Sequence, residues 1–258
     1  MLVFVIPLKS SKVSKSWELV SKLFERTLKS VCNQTSPDFR VIVVCHEKPQ
    51  IEFNHPNITY IEVDFPIPGQ DLKSKTLDKG GKILWGLFHA RQFNPSHTMI
   101  VDADDCVSKR LAEFVNQNPQ SNGWFVNKGY VYQAGSKFIY LRRKAFNKLC
   151  GTSNIIKYEL HNLPDDISQD YPEINLYYER HQDVENKMAQ SGKPIKALPF
   201  IGAVYTVGNQ ENIYLRDSSL FLEKNQDKGI LWKLKYFLNF QLLTTSIREE
   251  FGLYDIVM

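Results

Sequence analysis

The chain has 258 residues, 43% of them hydrophobic and 23% charged, with a formal net charge of +4 from 32 basic and 28 acidic side chains. This is the composition of a globular protein with a sizeable core, and it excludes a disordered chain. The charge surplus is mild and forms no dense Lys/Arg block, which argues against a nucleic-acid binder.

The first strand is read at "LVFVIPL" (2–8), a short β-rich run closed by Pro7 and polar residues. The N-terminus is apolar but lacks a basic flank and a cleavage site, so a strand is expected there rather than a signal peptide. Apolar residues at helical spacing follow over 14–31: Trp17, Val20, Phe24, Leu28 (or Thr27) and Val31. Strands are expected at 39–46 and 58–65, a helix over 76–93, a fourth strand over 97–104, and a helix from 108. Near-continuous Val/Ile runs suit strands covered on both faces. Strand–helix alternation of this kind predicts a mostly parallel central sheet flanked by helices. Ligands of such sheets bind beyond the carboxyl ends of the strands. That rule gathers Pro7, His46, Glu47 and the acidic group Asp102, Asp104 and Asp105 on one rim.

The second half is less regular. Strands are expected at 123–133, 137–143 and 195–208, a short helix at 144–150, and a helix at 181–192 ending at Gly192. Residues 166–180 read as a loop or short helix. "ILWKLKYFLNFQLL" (230–243) is apolar almost all round, broken by Lys233 and Lys235. It reads as a helix buried in a core or interface, with a membrane surface as the alternative. No stretch is long enough to span a bilayer. The four cysteines fit no zinc spacing and read as reduced, buried thiols, which favours a cytoplasmic setting.

The informative stretch is "TMIVDADDC" (98–106). If the strand persists through Asp104, then Asp102 and Asp104 project to one side. Two carboxylates suit Mg²⁺ or Mn²⁺, with substrate phosphates supplying the remaining ligands. The plainer reading is a turn, with Asp105 before a helix start.

In order and spacing, "VFVIPLKS", "LFERTLKSVCNQTSPDFRVIVVCHE", "DKGGKILWGLFHAR", "MIVDADD" and "HQDVENKMAQSGKPIKALPFIGAVYTVGNQENIY" resemble a GT-A glycosyltransferase of the family-two class. The resemblance covers about residues 2–214. It implies a transferase domain over 1–216, with a nucleotide half at about 1–107, an acceptor half at about 108–216, and a helical extension at 217–258. It further implies a nucleotide-diphosphate sugar donor, a saccharide or lipid-linked saccharide acceptor, and a divalent cation. By the same resemblance Pro7 lies by the base, Glu47 stands for the family's base- or ribose-binding Asp, and Lys82 approaches the phosphates. Asp102 contacts ribose or metal, Asp104 the metal, and Asp183 is the general base. Asn209 stands where the family often has His, and Gln182 where it has an acid. These departures keep a non-catalytic sugar- or nucleotide-binding protein in view. A nucleotidyltransferase would want a glycine-rich loop after the first strand, which "PLKSSKVSKSW" lacks.

The aromatics Trp124, Tyr130, Tyr132, Tyr177 and Tyr178 are candidates for sugar stacking or for half-buried strand positions. Lys73 and Lys75 read as part of a solvated loop.

Overall fold

A computed structural model describes residues 1–167, 180–211 and 237–256. A seven-stranded sheet forms the centre. Its parallel part consists of β1 (Leu2–Pro7), β2 (Phe39–Cys45), β3 (Ile58–Glu62) and β4 (His97–Ile100), in the spatial order β4-β1-β2-β3. Beyond β4 lie β9 (Asn154–Lys157), antiparallel to it, then β6 (Gly123–Phe125) and β10 (Lys196–Ala197). The expected mostly parallel sheet flanked by helices is what forms.

The Val/Ile runs are buried on both faces, as their composition requires. Leu2, Phe4, Ile6, Val41 and Val43 face α1 (Trp17–Cys32) and α3 (Leu111–Gln117) through Val20, Phe24, Leu28, Leu111 and Val115. The alternate residues Val3, Val5, Ile42 and Val44 face α2 (Leu72–Ala90) through Ile83 and Leu87. Ser16 caps α1 by accepting from the Leu19 amide at 3.2 Å, and Asp71 caps α2 by accepting from the Ser74 amide at 2.9 Å. Gly86 lets α2 lie directly on the sheet, since a Cβ there would come within 2.4 Å of Val5 Cγ1.

A second, five-stranded sheet runs β12 (Phe240–Leu242), β8 (Phe138–Arg142), β7 (Gly129–Gln133), β11 (Ala203–Val207), β5 (Cys106–Val107). The two sheets share the chain around the acidic turn: β4 ends in one, and β5 begins in the other six residues later. The two halves expected from the sequence therefore interleave. β6 and β9 complete the first sheet, while β5 joins β11 of the second.

Several boundaries differ from expectation. β4 stops at Ile100 instead of running to 104. The helix α2 starts at Leu72, so Lys73 and Lys75 sit in its first turn. The 123–133 and 195–208 stretches each split into two strands. Of the 230–243 segment, residues 230–236 lie outside the described residues, and Phe240–Leu242 is a strand, not helix. A short helix, α4 (Val184–Gln190), follows a single turn at His181–Asp183, and α5 (Thr245–Phe251) closes the described chain. Residues 168–179, with Tyr177 and Tyr178, lie outside the description. Trp124, Tyr130 and Tyr132 are core residues, not a sugar platform. All four cysteines are free thiols, three of them buried.

Candidate functional site

The acidic residues leave the sheet on a turn. Val101 still donates to Val5 O at 2.9 Å, but the Asp102 amide turns away to Thr152 Oγ1 at 2.9 Å. The Asp105 amide then closes back onto Asp102 O at 3.1 Å. The strand-alternation argument thus does not apply, and other contacts position the carboxylates.

Asp105 is fully buried and structural. Its Oδ1 accepts from the Thr206 amide at 3.0 Å, and its Oδ2 accepts from Thr152 Oγ1 at 2.7 Å and Cys150 Sγ at 3.1 Å. Burial, with Asp104 and Asp102 adding repulsion, pushes its carboxyl well above the usual range. Arg26, also fully buried, runs beneath the turn from α1. Its Nη2 donates to Asp104 O at 3.2 Å and to Thr206 Oγ1 at 2.9 Å. The guanidinium is the buried positive charge beneath three carboxylates.

Asp102 and Asp104 are half-buried at the edge of this assembly. Lys79 Nζ sits 2.8 Å from Asp102 Oδ1. The chain at Gly151 passes so close that a Cβ there would lie 2.7 Å from Asp102 Oδ2. Asn209 Nδ2 donates to Asp104 Oδ2 at 2.9 Å, while its Oδ1 accepts from the Glu211 amide at 2.9 Å. Glu211 in turn pairs with Lys9 and accepts from the Ser16 amide at 2.8 Å, tying the segment after β11 to the loop after β1. Burial and then the Asp102 charge raise the Asp104 carboxyl. A cation between these two groups would relieve that repulsion. Among the described residues no group of three or more His, Cys, Asp and Glu side chains is gathered for a metal. The chain therefore offers two carboxylates, a donor set that fits a hard cation completing its shell with phosphate oxygens.

The other expected residues divide. Pro7 is buried at the end of β1. Burial acts to raise the Glu47 carboxyl, but hydrogen bonds from Ser11 and Ser10 outweigh it and hold the group below the usual range. Both Glu47 oxygens are engaged with Ser10 Oγ, at 3.1 and 3.2 Å, and Oε1 also takes the Ser11 amide. Lys82 is 1% exposed, its amine donating to Leu8 O at 2.9 Å and Asp78 Oδ2 at 2.8 Å. Burial lowers its pKa against the pull of Asp78. Glu47 and Lys82 therefore brace the exit of β1, and neither offers an open group at the rim. The lysine that reaches the acidic turn is Lys79, three residues earlier.

Beside Asp102 opens a cleft whose walls include Lys79, Ile83, Ile100, Asn154, His161 and His181. Asp183 does not line it. It stands at the start of α4 with Oδ2 3.1 Å from Arg180 Nε and its side chain 38% exposed, between the cleft-lining residues His181 and Val184. Sequence reasoning missed Lys79, Arg26, Thr152 and Glu211. The signal for Arg26 was a charge at 26 between the buried positions Phe24 and Leu28. The signal for Lys79 was its place in "DKGGK".

His161 carries a pH prediction. Its Nε2 lies 2.7 Å from Thr98 Oγ1, and burial lowers its pKa to about 4. The folded ring binds its proton less readily than the unfolded one, whose pKa is about 6.5. Its stabilising share is therefore whole above about 6.5 and is lost as pH falls toward 4. Wild type should lose more melting temperature over that window than His161→Gln; parallel curves would show that His161 does not drive the loss.

Neither a protein-family model nor a curated protein matches the chain. Among solved structures, it is similar to S. aureus TarS 1–349, at 12% identity over 80% of this chain and 60% of that one, with a TM-score of 0.48. The complex of TarS 1–349 with UDP gives 12% identity, 81% and 61% coverage, and a TM-score of 0.46. Francisella tularensis 2-C-methyl-D-erythritol 4-phosphate cytidylyltransferase gives 12% identity over 86% of this chain and 98% of that one, with a TM-score of 0.38. The chain spans about 60% of the length of TarS 1–349.

Proposed function

We infer that this chain is a glycosyltransferase of the GT-A, family-two kind, moving a sugar from a nucleotide diphosphate to an acceptor hydroxyl with inversion. The observation that carries the reading is the pairing of Asp102 and Asp104 at the carboxyl end of a central parallel strand. Lys79 stands on one carboxylate, Asn209 on the other, and a cleft opens alongside. Asp102 and Asp104 would hold a divalent cation, Mn²⁺ or Mg²⁺. When bound, it supplies positive charge to the departing diphosphate. Lys79 adds a second positive charge at the same edge. Arg26 and Asp105 fix the turn so that both carboxylates keep their positions without reorganising.

In the reaction, the acceptor oxygen forms its bond to the anomeric carbon as the bond from that carbon to the diphosphate oxygen breaks. The diphosphate leaves with the electron pair. Asp183, at the cleft edge, takes the acceptor proton. The cleft's mixture of isoleucines with Asn154 and the two histidines suits a sugar, which presents both apolar faces and hydroxyls.

The test is thermal stability of the chain with UDP, GDP, CDP and ADP, each with Mn²⁺ or with chelator. Saturation by one of them at about 100 times its Kd should add about 2.7 kcal/mol, or about 5–10 °C for a chain of this size. The shift should vanish with chelator and in Asp104→Asn. Absence of any shift across the panel would sink the reading.

A further inference from the structure

The strand pair β8–β12 carries an apolar face that the reaction does not use. Its register is set by antiparallel pairing of Phe240 with Tyr140 and of Leu242 with Phe138. Side chains alternate along a strand. Ile139 and Leu141 are buried in the second sheet, which turns Phe138, Tyr140 and Arg142 outward. Gln241, opposite Ile139, points inward and accepts from Tyr130 Oη at 3.2 Å. Phe240 and Leu242 consequently share the outer face with Phe138 and Tyr140. The Tyr140 and Phe240 rings meet edge to face at 5.3 Å. Phe138 is 51% exposed, Phe240 39% and Leu242 63%, and Phe237 and Leu238 extend the patch. A cluster of this kind on one face marks an interaction surface, unlike scattered single residues.

The stretch of chain that carries β8 is charged with one sign. From Phe114 to Tyr158 the sequence contains no Asp or Glu, while Lys128, Lys137, Arg142, Arg143, Lys144, Lys148 and Lys157 fall within it. Arg142 shares the outward side of β8, and Lys137, Arg143 and Lys144 flank the two ends of that strand. Arg143 Nε donates to Asn239 Oδ1 at 2.7 Å, which holds that arginine beside the start of β12.

We propose that the β8–β12 face docks on an anionic lipid bilayer, with Phe138, Tyr140, Phe240 and Leu242 entering the interface and Lys137, Arg142, Arg143 and Lys144 meeting lipid phosphates. Aromatic and leucine side chains flanked by cations match the two layers of that interface, an acyl boundary beneath a negative headgroup plane. The proposal does not depend on the transferase reading. Among the described residues no helix is long and apolar enough to cross a membrane.

The experiment is co-sedimentation of the full chain with phosphatidylcholine vesicles, with and without phosphatidylglycerol, accompanied by size-exclusion chromatography. Wild type should pellet with the anionic vesicles and stay in solution with the neutral ones. Arg143→Gln with Lys144→Gln should weaken partitioning by about fivefold per charge removed. Phe138→Ser with Leu242→Ser should weaken it at least tenfold. Melting curves accompany both pairs. The charge pair, at exposed positions, decides alone if the apolar pair lowers the midpoint. No pelleting with anionic vesicles overturns the proposal, as does pelleting that the charge pair leaves unchanged. A concentration-dependent dimer abolished by Phe138→Ser with Leu242→Ser overturns it in favour of a second copy of this chain.

Discussion

Asp105→Ala should cost about 3 kcal/mol of stability, a fall of about 6–12 °C in melting temperature for a chain of this size. The substitution removes the acceptor for three buried donors: the Thr206 amide, Thr152 Oγ1 and Cys150 Sγ. Each stranded donor costs about 1–3 kcal/mol. Against that, the substitution removes a carboxyl that burial and two neighbouring carboxylates disfavour, which keeps the total near the low end. Asp105→Asn separates the two contributions. Its amide oxygen can still accept from Thr206, and its NH2 can donate to the Thr152 hydroxyl once that rotates. The Asn variant should therefore retain most of the stability. Denaturant titration of the two variants is the check, and Asp105→Ala within about 1 kcal/mol of wild type would show that the turn is held elsewhere.

Asp183→Asn should lower kcat by about 10²–10⁴-fold and leave the nucleotide-dependent thermal shift intact. The residue lies apart from the Asp102–Asp104 pair, so its loss should leave donor binding alone and remove only the proton acceptor. Single-turnover transfer from the nucleotide sugar found by the stability panel measures the chemical step. A rate within a few-fold of wild type would exclude Asp183 as the base and turn attention to His181, which faces the cleft two residues earlier. Loss of the thermal shift along with the rate would instead mean that the His181–Asp183 turn shapes the donor site.

The central sheet was readable because strands buried on both faces need uninterrupted Val/Ile runs, and few other arrangements tolerate "FRVIVVC". The helix α1 was readable from its apolar spacing. The start of α2 was not, because "DLKSKTLDKGGK" looks solvated. In the fold Asp71 is a cap, and Asp78 and Lys82 satisfy each other inside. Which lysine of "DKGGK" reaches the acidic turn depends on the rotational phase of the helix, and a sequence of three charged residues and two glycines does not fix that phase. Asp102, Asp104 and Asn209 were readable as candidates, and the fold brings all three together although Asn209 lies 105 residues beyond Asp104. The role of Asp105 was hidden because its partners come from two distant segments, Cys150–Thr152 and Thr206. The 230–243 stretch was misread where it is described. A segment apolar on all sides carries no period, so only the pairing with β8 makes Phe240–Leu242 a strand.

The crossover between the two sheets also bears on how the molecule assembles. Asp105 meets Thr206 across 101 positions of chain, Arg26 meets Thr206 across 180, and Lys9 meets Glu211 across 202. Contacts so remote must pay the entropy of closing long loops before they return any energy. A ribosome that has released only the first 107 residues has supplied β1–β4 with Arg26 and Lys79, but not Cys150, Thr152, Thr206 or Asn209, which hold the rest of the acidic turn. The Asp104 and Asp105 carboxylates then lack their partners, and the edge of β4 that β9 will cover stands open. The acidic rim is thus among the last regions to order. A chain truncated before β11 should be captured by chaperones with its first four strands largely formed and its acidic turn still accessible to protease.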